Sequence, residues 1–486
     1  MSRTWSVDEH LADVLRSVGP LEPIELHLLD AQGCVLTEDV LVPVSLPPFD
    51  NSSMDGYAVR VADVEKASED DPAVLEVVGD VVAGAGRLPE VGPGRAARVM
   101  TGAPLPPGAE AVVPVEWTDG GTGGGRADAM AAHSADPSGA AGEVRVHRPV
   151  TARQYVRGKG GDVRAGSVAL EAGTVLGPAQ IGLLAAVGCG TVTVRPRPRV
   201  VVLSTGSELV RPGAPLGPGQ IHDSNSFALT AAARDAGAIA YRVGAVADDA
   251  ATLRTVIEDQ LARADAIVTS GGVSVGAYDV VKEALTGLEG TVLGGAEPQG
   301  DGGAEEDGDG EGGGDAEESG APEGATGTDG TPRAPGAHRA GRPPARVEFR
   351  RLAMQPGKPQ GFGLVGPDRI PLFALPGNPV SSYVSFELFV RPALRALMGL
   401  EPVTRRTVTA RLECEEPIAS PEGKRQFLRG RYRPPAAGEE HGTVRPVGGP
   451  GSHLLGSLAR ADALVVVPER TTEVARGDEL EVVLLD

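Results

Sequence analysis

Acidic, hydroxyl and glycine residues cluster directly after four short apolar runs in the middle of the chain. The first run ends in residues 204–208 (STGSE), the second in 248–249 (DD), and the third in 270–276 (SGGVSVG) followed by Asp279. The fourth ends in 375–379 (LPGNP). Backbone N–H groups of small residues at helix N-termini bind anions, whereas nearby carboxylates repel them unless a cation lies between. Because Mg²⁺ commonly bridges carboxylates to phosphates, the pattern predicts a Mg²⁺-assisted site for a phosphorylated or otherwise anionic small molecule.

Each of these loops also has an ordinary structural explanation when it is taken alone. Glycine after a strand commonly does no more than permit a tight turn. An aspartate before a helix, such as Asp248 or Asp249, commonly acts as an N-cap. The four loops taken together favour a ligand site.

Two further segments combine polar and turn-forming residues. Residues 47–58 (PPFDNSSMDGYA) are too irregular for a regular element, and a turn-rich domain boundary explains them equally well. In residues 351–359 (RLAMQPGKP), Lys358 lies between two prolines, which restricts its reach and suits it to gripping an anion. A plain surface loop is the alternative for this second segment.

The elements that must position the four loops alternate between strands and helices. Short apolar runs predict a buried strand at 200–203 and further strands at 241–246, 266–269 and 371–375. Helical patterns follow them at 224–236, 250–264, near 278–285 and 380–398. Such alternation forms right-handed βαβ units, so the sequence predicts a doubly wound parallel sheet covered on both faces. Ligands of such sheets bind beyond the carboxyl ends of the strands, where the four loops would meet.

The two ends of the chain do not show this alternation of strands and helices. Ser6 and Glu9 form a capping box in front of an amphipathic helix, and short β-like runs follow it. Residues 120–142 are rich in Gly and Ala and predict a flexible surface loop. Near the C-terminus, runs such as 407–412 and 463–467 predict a small β-barrel or sandwich.

Charge and composition exclude several classes of protein. The chain of 486 residues carries a net charge of −21, which argues against nucleic acid or an anionic membrane as partner. Twelve acidic residues and no basic ones lie in residues 297–332, so the rest of the chain carries only −9. The surrounding insertion, about 294–345, consists mainly of Gly, Glu, Asp, Ala and Pro and is expected to be disordered.

The cellular location of the protein is predicted from the lack of disulfide, signal-peptide and membrane-span patterns in the sequence. Its three cysteines, Cys34, Cys189 and Cys414, lie far apart and form no disulfide framework or zinc motif. The N-terminus has no secretory signal, and no apolar run reaches the roughly 18 residues that span a bilayer. The sequence therefore predicts a cytoplasmic protein without a membrane partner.

Nine segments carry motifs in a fixed order along nearly the whole chain: 47–59, 99–116, 158–166, 204–209, 219–225, 269–279, 355–359, 375–381 and 451–468. They include PPFDNSSMDGYAV, STGSEL, GQIHDSN, TSGGVSVGAYD, QPGKP and LPGNPVS. In this order they resemble the molybdopterin molybdenumtransferase family, which comprises MoeA in bacteria and the E domain of gephyrin in animals. Each motif is moderately specific, and the ordered set is very specific.

The resemblance implies a multi-domain subunit of α/β and β parts. It also implies a homodimer whose sites are shared between subunits, each lying between the α/β domain of one subunit and the β parts of the other. The implied domains are an extended dimerisation domain (1–48 plus 144–196), an inserted small β domain (49–143), the α/β molybdopterin-binding domain (197–398, with the acidic insertion) and a C-terminal β-barrel-like domain (399–486).

The resemblance further implies a transferase reaction in which molybdate is inserted into adenylylated molybdopterin and AMP is released, with Mg²⁺ as cofactor. The adenylyltransferase that supplies the adenylylated pterin is then a candidate partner. The motifs assign catalytic roles to Asp55, Thr101, Asp162, Glu208, Asp248 and Asp279, the last three as metal ligands. They assign substrate binding to Ser204, Thr205, Gly206, Ser270, Gly271, Gly272, Ser274, Arg351, Lys358, Pro376, Gly377, Asn378, Pro379 and Ser452.

One position departs from the family pattern. Many members have two basic residues just before PGKP, and this chain has Arg351 and Gln355 there. Gln355 carries no charge, and Lys358 is a candidate to compensate. Two alternative functions are open: the related molybdopterin adenylyltransferase, which does not need residues 47–196 or the C-terminal β domain, and a non-catalytic scaffold of the gephyrin type.

The acidic insertion gives a first testable prediction. Replacing residues 298–343 by a short Gly/Ser linker should leave the melting temperature and turnover nearly unchanged, because the segment has no apolar face to pack. Thermal unfolding and enzyme assays of the shortened protein measure both. A large drop in either would mean that the segment packs on the protein or controls access to the site.

Overall fold

The computed structural model describes residues 3–84, 86–130, 142–272, 280–286 and 347–485. The chain divides into two compact units. The first comprises Met1–Gly19, Pro198–Leu397 and Glu401–Asp486, and the second comprises Pro20–Arg197 and Met398–Leu400. Within the described ranges, no helix is both long enough and apolar enough to cross a membrane.

A seven-stranded sheet forms the centre of the first unit. Its strands lie in the order Thr4–Trp5, Val347–Leu352, Gln360–Val365, Ile370–Leu375, Ala266–Ser270, Arg199–Thr205 and Ile239–Val246. The last four are the strands predicted from sequence, and each pairs in parallel with its neighbour. The doubly wound α/β prediction is thus confirmed for this half of the sheet.

The other half of the sheet contains strands that were not predicted from sequence, and it is partly antiparallel. Gln360–Val365 pairs antiparallel with both Ile370–Leu375 and Val347–Leu352. A tight turn joins the first two strands, and in it Gly366 and Arg369 adopt positive φ angles of 70° and 55°. The sequence did not indicate these strands because no helix separates them, so the βαβ pattern gives no sign of them.

The helices of this unit pack in two groups. Asn225–Asp235 contacts the helical segment that follows the strand Ile370–Leu375, and Ala250–Leu261 contacts Val280–Thr286. Val200, Val201, Val202 and Leu203 are all fully buried. Since successive strand residues point to opposite faces, helices must cover the sheet on both sides. Burying each such side chain stabilises the fold by roughly 1.5–3 kcal/mol.

The helix predicted over 380–398 is a single helical segment with a wider turn in its middle. It runs as Pro379–Ser385, a π-helical turn Phe386–Val390, and Arg391–Leu397. In the π turn, Glu387 is only 3% exposed and accepts a hydrogen bond from Arg405 Nε at 2.9 Å. Arg391 and Arg405 also donate to Asp235, at 2.8 and 3.0 Å. These ion pairs tie the helix that follows the fourth loop to the end of Asn225–Asp235.

The N-terminal segment is part of the first unit. The capping box is present, with Glu9 N donating to Ser6 Oγ at 3.1 Å and Ser6 N donating to the Glu9 carboxylate at 2.8 Å. It opens the helix Val7–Ser17. Thr4–Trp5 adds a strand to the central sheet, so residues up to Gly19 lie with the α/β unit, whereas the resemblance placed residues 1–48 in the extended domain.

The C-terminal part of the first unit is a closed five-stranded barrel. The predicted strands 407–412 and 463–467 have these same bounds in the structure. A short strand, Met354–Gln355, joins the barrel by pairing with residues Arg425 and Gln426. The barrel strands are Thr407–Leu412, Arg425–Arg433, Gly442–Pro446, Ala463–Val467 and Glu479–Leu484; Ile418–Ala419 pairs with Glu473–Val474, and Leu455–Leu458 is helical.

The second unit contains a five-stranded sheet and several smaller ones. The larger sheet has the order Glu143–Val146, Ala73–Val81, Arg95–Val99, Gly56–Val59 and Ala111–Pro114. The smaller sheets contain Ile24–His27, Val35–Leu36, Val40–Leu41, Asn51–Ser52, Val156–Arg157, Val168–Leu170 and Thr191–Arg195. The helices are Val61–Val64 and Pro178–Ala186, and Val115–Trp117 forms a 3₁₀ turn.

Part of the Gly-rich loop predicted over 120–142 is held by one buried side chain. The Asp119 carboxylate, 1% exposed, accepts hydrogen bonds from the backbone N–H groups of Gly121, Gly123 and Arg145, each at 3.0 Å. Residues 120–130 therefore form turns with a defined anchor. Residues 131–141 lie outside the described residues.

Candidate functional site

A cavity of about 850 Å³ lies at the carboxyl ends of the parallel strands in the first unit. All four loops that the sequence analysis singled out contribute to it, because the parallel pairing brings their strand ends to one edge of the sheet. The structure thus brings twelve of the predicted site residues together, and their individual roles stay predictions. They are Thr205, Gly206, Glu208, Asp248, Ser270, Gly271, Gly272, Lys358, Pro376, Gly377, Asn378 and Pro379.

Three other predicted residues of this unit are close to the cavity without lining it. Ser204 is buried behind it, and its hydroxyl donates to Asp223 at 3.0 Å. Arg351 is exposed, and its charge acts on Lys358. The backbone carbonyl of Ser452 accepts a hydrogen bond from Val380 N at 3.0 Å. The predicted residues Ser274 and Asp279 lie outside the described residues.

The third loop requires glycine at two positions. Gly271 has a φ of 99°, and a Cβ added there would lie 2.5 Å from the carbonyl oxygen of Thr205. Gly272 has a φ of 64°, and its Cβ would lie 2.6 Å from Val281 Cγ2. A side chain at either position would strain the backbone and collide with neighbouring atoms. These glycines therefore allow the third loop to lie directly against the end of the first strand.

The neighbouring aspartates Asp248 and Asp249 differ in role: one lines the cavity and the other caps a helix. Asp249 caps the helix Ala250–Leu261, because its carboxylate accepts a hydrogen bond from Thr252 N at 2.7 Å. Hydrogen bonding from Thr252 lowers the pKa of Asp249. Asp248 lines the cavity and accepts a hydrogen bond from Ser207 N at 3.2 Å. The N-cap explanation thus holds for Asp249, while Asp248 presents its carboxylate beside Glu208.

Two of the three predicted metal ligands lie in the described part of the cavity. Glu208 and Asp248 line the cavity, and the third predicted metal ligand is Asp279. In the ranges that the structure covers, no group of three or more His, Cys, Asp or Glu side chains is placed to hold a metal ion. The two carboxylates present are hard oxygen donors of the kind that Mg²⁺ prefers.

The same cavity also contains a positively charged side chain. Lys358 lines it, and contact with Lys424, together with partial burial and the charge of Arg351, lowers the pKa of Lys358. Like charges held close together destabilise one another, and a bound anion relieves that repulsion. The cavity can therefore hold an anion near Lys358 and a cation near Glu208 and Asp248.

Several lining residues were not predicted as site residues. Asp223 and Asn225 belong to the recognised motif GQIHDSN, and their position at the start of a predicted helix could have indicated them. His453 follows the predicted Ser452 and also lines the cavity. Lys424 gave no signal, because it is one basic residue in the C-terminal barrel and only the fold brings it to Lys358.

The second unit contains a cavity of its own, of about 470 Å³. Asp55 and Thr101 both line it, and Thr101 donates to Asp55 Oδ1 from its backbone N–H at 2.7 Å and from its hydroxyl at 3.0 Å. The ion pair of Asp80 with Arg98 also faces this cavity. The structure does not bring Asp162 to it. That residue is exposed, and its backbone N–H donates to Leu46 at 3.0 Å.

Comparison with known proteins shows one family along the chain. A family model described as the MoeA N-terminal region (domain I and II) matches residues 5–188. A probable molybdopterin binding domain matches residues 201–315 and 323–396. The MoeA C-terminal region (domain IV) matches residues 411–485.

Individual relatives match over almost their full length. Molybdopterin molybdenumtransferase 2 of Mycobacterium tuberculosis is 41% identical over 477 residues, which is 98% of each chain. Molybdopterin molybdenumtransferase 1 of the same organism is 36% identical and covers 99% of each chain. Among solved structures, a molybdopterin biosynthesis MoeA protein from Pyrococcus horikosii matches all of both chains with a TM-score of 0.65 and 29% identity.

The lysine pair gives a prediction that needs no substrate. Lys424→Gln should raise the pKa of Lys358, because Lys424 is the largest cause of its depression. A lysine whose pKa is lowered by folding destabilises the native state at pH values below about 10, where the unfolded chain is protonated. The variant should therefore also melt at a higher temperature at neutral pH.

NMR titration of ¹³C-labelled lysines and thermal unfolding measure these two effects. Lys66→Gln is the matched control, since Lys66 is exposed in the other unit and its loss should change neither value. An unchanged Lys358 pKa in Lys424→Gln would show that the two ammonium groups do not interact.

Proposed function

Because the chain belongs to the molybdopterin molybdenumtransferase (MoeA) family, we propose that it inserts molybdate into adenylylated molybdopterin and releases AMP. It is a transferase of molybdenum cofactor biosynthesis. The observation that carries the proposed reaction is the cavity at the strand ends, which combines three carboxylates, glycine loops and a lysine. Such a cavity suits a substrate with phosphate groups and a reaction that involves oxyanions.

Mg²⁺ is the proposed cofactor, held by Glu208 and Asp248 together with Asp279. These hard oxygen donors fit the ion, and when bound it would offset the negative charge of phosphate and molybdate. The backbone at Gly271 and Gly272 would receive the phosphate groups, while Lys358 would bind an oxyanion. In the reaction a water molecule attacks the phosphoanhydride of the adenylylated pterin, and the P–O bond to the leaving AMP breaks. The two dithiolene sulfurs form bonds to molybdenum and displace two molybdate oxygens, which leave as water with protons from the two thiols and from solvent.

The location of Asp55 and Thr101 in a second cavity supports a shared site. We propose a homodimer in which these residues serve the α/β cavity of the partner subunit, with Asp162 contributing from the same part of the chain. A cytoplasmic location and a partnership with the adenylyltransferase that supplies the substrate complete the proposal. The alternative adenylyltransferase function is disfavoured, because that reaction does not require the regions matched at residues 5–188 and 411–485.

The decisive experiment follows AMP release from adenylylated molybdopterin and molybdate, with and without Mg²⁺. Wild-type protein should release AMP, and Mg²⁺ should accelerate the release. Asp248→Asn should lower the rate roughly 100-fold, the loss typical of removing one group that stabilises developing charge. The matched control is Asp249→Asn, which should keep wild-type turnover because asparagine caps helices as well as aspartate does. Equal activity of the two variants would remove Asp248 from the mechanism.

Subunit mixing tests the shared site. Asp55→Ala and Asp248→Asn should each keep no more than about a hundredth of the wild-type activity as homodimers. In a mixed dimer with two-fold symmetry, one site carries both changes and the other carries neither, so random mixing should restore about a quarter of the wild-type activity. Native mass spectrometry of the mixture establishes that subunits have exchanged. Exchange without recovered activity would show that both residues act within one chain.

A further inference from the structure

We propose that Asn225 is a positioning residue whose side-chain amide locks the third loop to the fourth loop, in the arrangement that receives the phosphate groups of the adenylylated substrate. The inference rests on the proposed function for its substrate and concerns a residue outside the predicted site.

The side chain of Asn225 joins three separate parts of the chain. It stands at the first residue of the helix Asn225–Asp235 and lines the 850 Å³ cavity. Its Nδ2 donates to Ser270 Oγ in the third loop at 2.8 Å and to the Gly377 carbonyl oxygen in the fourth loop at 2.7 Å. One amide group thus uses both of its hydrogens to hold two loops that are distant in sequence.

A buried carboxylate fixes Asn225 from behind. Asp223, 2% exposed, accepts hydrogen bonds from Ser204 Oγ at 3.0 Å and from Ser226 N at 3.1 Å, and a further one from Ser226 Oγ. These bonds satisfy one backbone N–H of the first helical turn and attach the start of the helix to the end of the first strand. Asn225 is therefore free of a capping role, and its position is set by the strand end.

The two loops that Asn225 joins are in contact. Ser270 Oγ, which accepts from Asn225, lies 3.2 Å from both the Pro376 carbonyl oxygen and Ser382 Oγ. A Cβ added at Gly377 would lie 3.5 Å from Gly271 Cα, which is van der Waals contact. The backbone at Ser270 and Gly271 is thus held beside the fourth loop at the cavity wall, and the Asn225 amide connects the two.

Only an uncharged donor suits this position. An aspartate has nearly the same shape, but it cannot donate to the Gly377 carbonyl and would bring a negative charge into a cavity proposed to receive phosphates. An alanine would lose both hydrogen bonds without adding charge. If Asn225 positions the phosphate-binding loops, the aspartate variant should therefore bind AMP more weakly than the alanine variant. The difference between their AMP affinities should shrink at high salt.

The test compares wild type, Asn225→Ala and Asn225→Asp in the full-length protein, with Gln220→Glu as the matched amide-to-carboxylate control. Gln220 is exposed, lies outside the cavity lining, and uses its side-chain oxygen to accept from Gly217 N, which a carboxylate can also do. Calorimetry measures AMP affinity, and the turnover assay gives kcat and separate KM values for the adenylylated pterin and for molybdate.

We expect Asn225→Ala to weaken AMP binding and raise the KM for the adenylylated pterin about tenfold, as the loss of two hydrogen bonds would. Asn225→Asp should exceed that change, while the KM for molybdate and the melting temperature stay close to wild type. Gln220→Glu should match wild type throughout.

Wild-type AMP affinity in Asn225→Asp would overturn the inference. So would an equal rise in both KM values with a lower melting temperature, since that pattern indicates a general structural role. If wild-type protein binds AMP but does not release it from the adenylylated substrate, the proposed function fails, and the AMP affinities still decide the role of Asn225. A wild type that does not bind AMP would overturn both.

Discussion

The parallel pairing of four central strands is the constraint on which the site depends. Parallel strands start at one edge of a sheet and finish at the other, so their following loops must emerge together. Three of the strands, Arg199–Thr205, Ala266–Ser270 and Ile370–Leu375, are buried on both faces, which fixes their pairing register, since a shift of one residue would move every side chain to the opposite face. The position of Glu208 relative to Gly271 or Asn378 is thus set by the hydrophobic core.

Charge separation within the cavity depends on this same frame. Glu208 and Asp248 follow two adjacent strands, whereas Lys358 enters from the segment that leads into the antiparallel strand Gln360–Val365. The carboxylates and the lysine are thus positioned in the cavity by different strands of the sheet. A substrate that is anionic and needs a bridging cation can use both groups, because neither has to move for the other to bind.

Patterns among residues close together in the sequence were sufficient to predict much of the secondary structure. The capping box of Ser6 and Glu9, the four central strands and the strands 407–412 and 463–467 all follow from residues adjacent in the chain. Features that arise from distant pairings could not be predicted in this way. The strand Thr4–Trp5 is two residues long and exists only because Val347–Leu352 lies beside it. The contact of Lys424 with Lys358 likewise depends on the barrel, and the amide of Asn225 finds its acceptors only after four loops have converged.

The strand Met354–Gln355 has a consequence for the modularity of the molecule. It precedes Lys358 in the chain, yet it pairs with the barrel residues Arg425 and Gln426, directly beside Lys424. The barrel therefore supplies part of the scaffold for a residue of the α/β part, and the boundary between the two crosses the site. A chimaera that took its C-terminal barrel from a relative would separate residues 354–359 from the strand that supports them. Exchange of the barrel, in evolution or in the laboratory, requires that this short segment be exchanged with it.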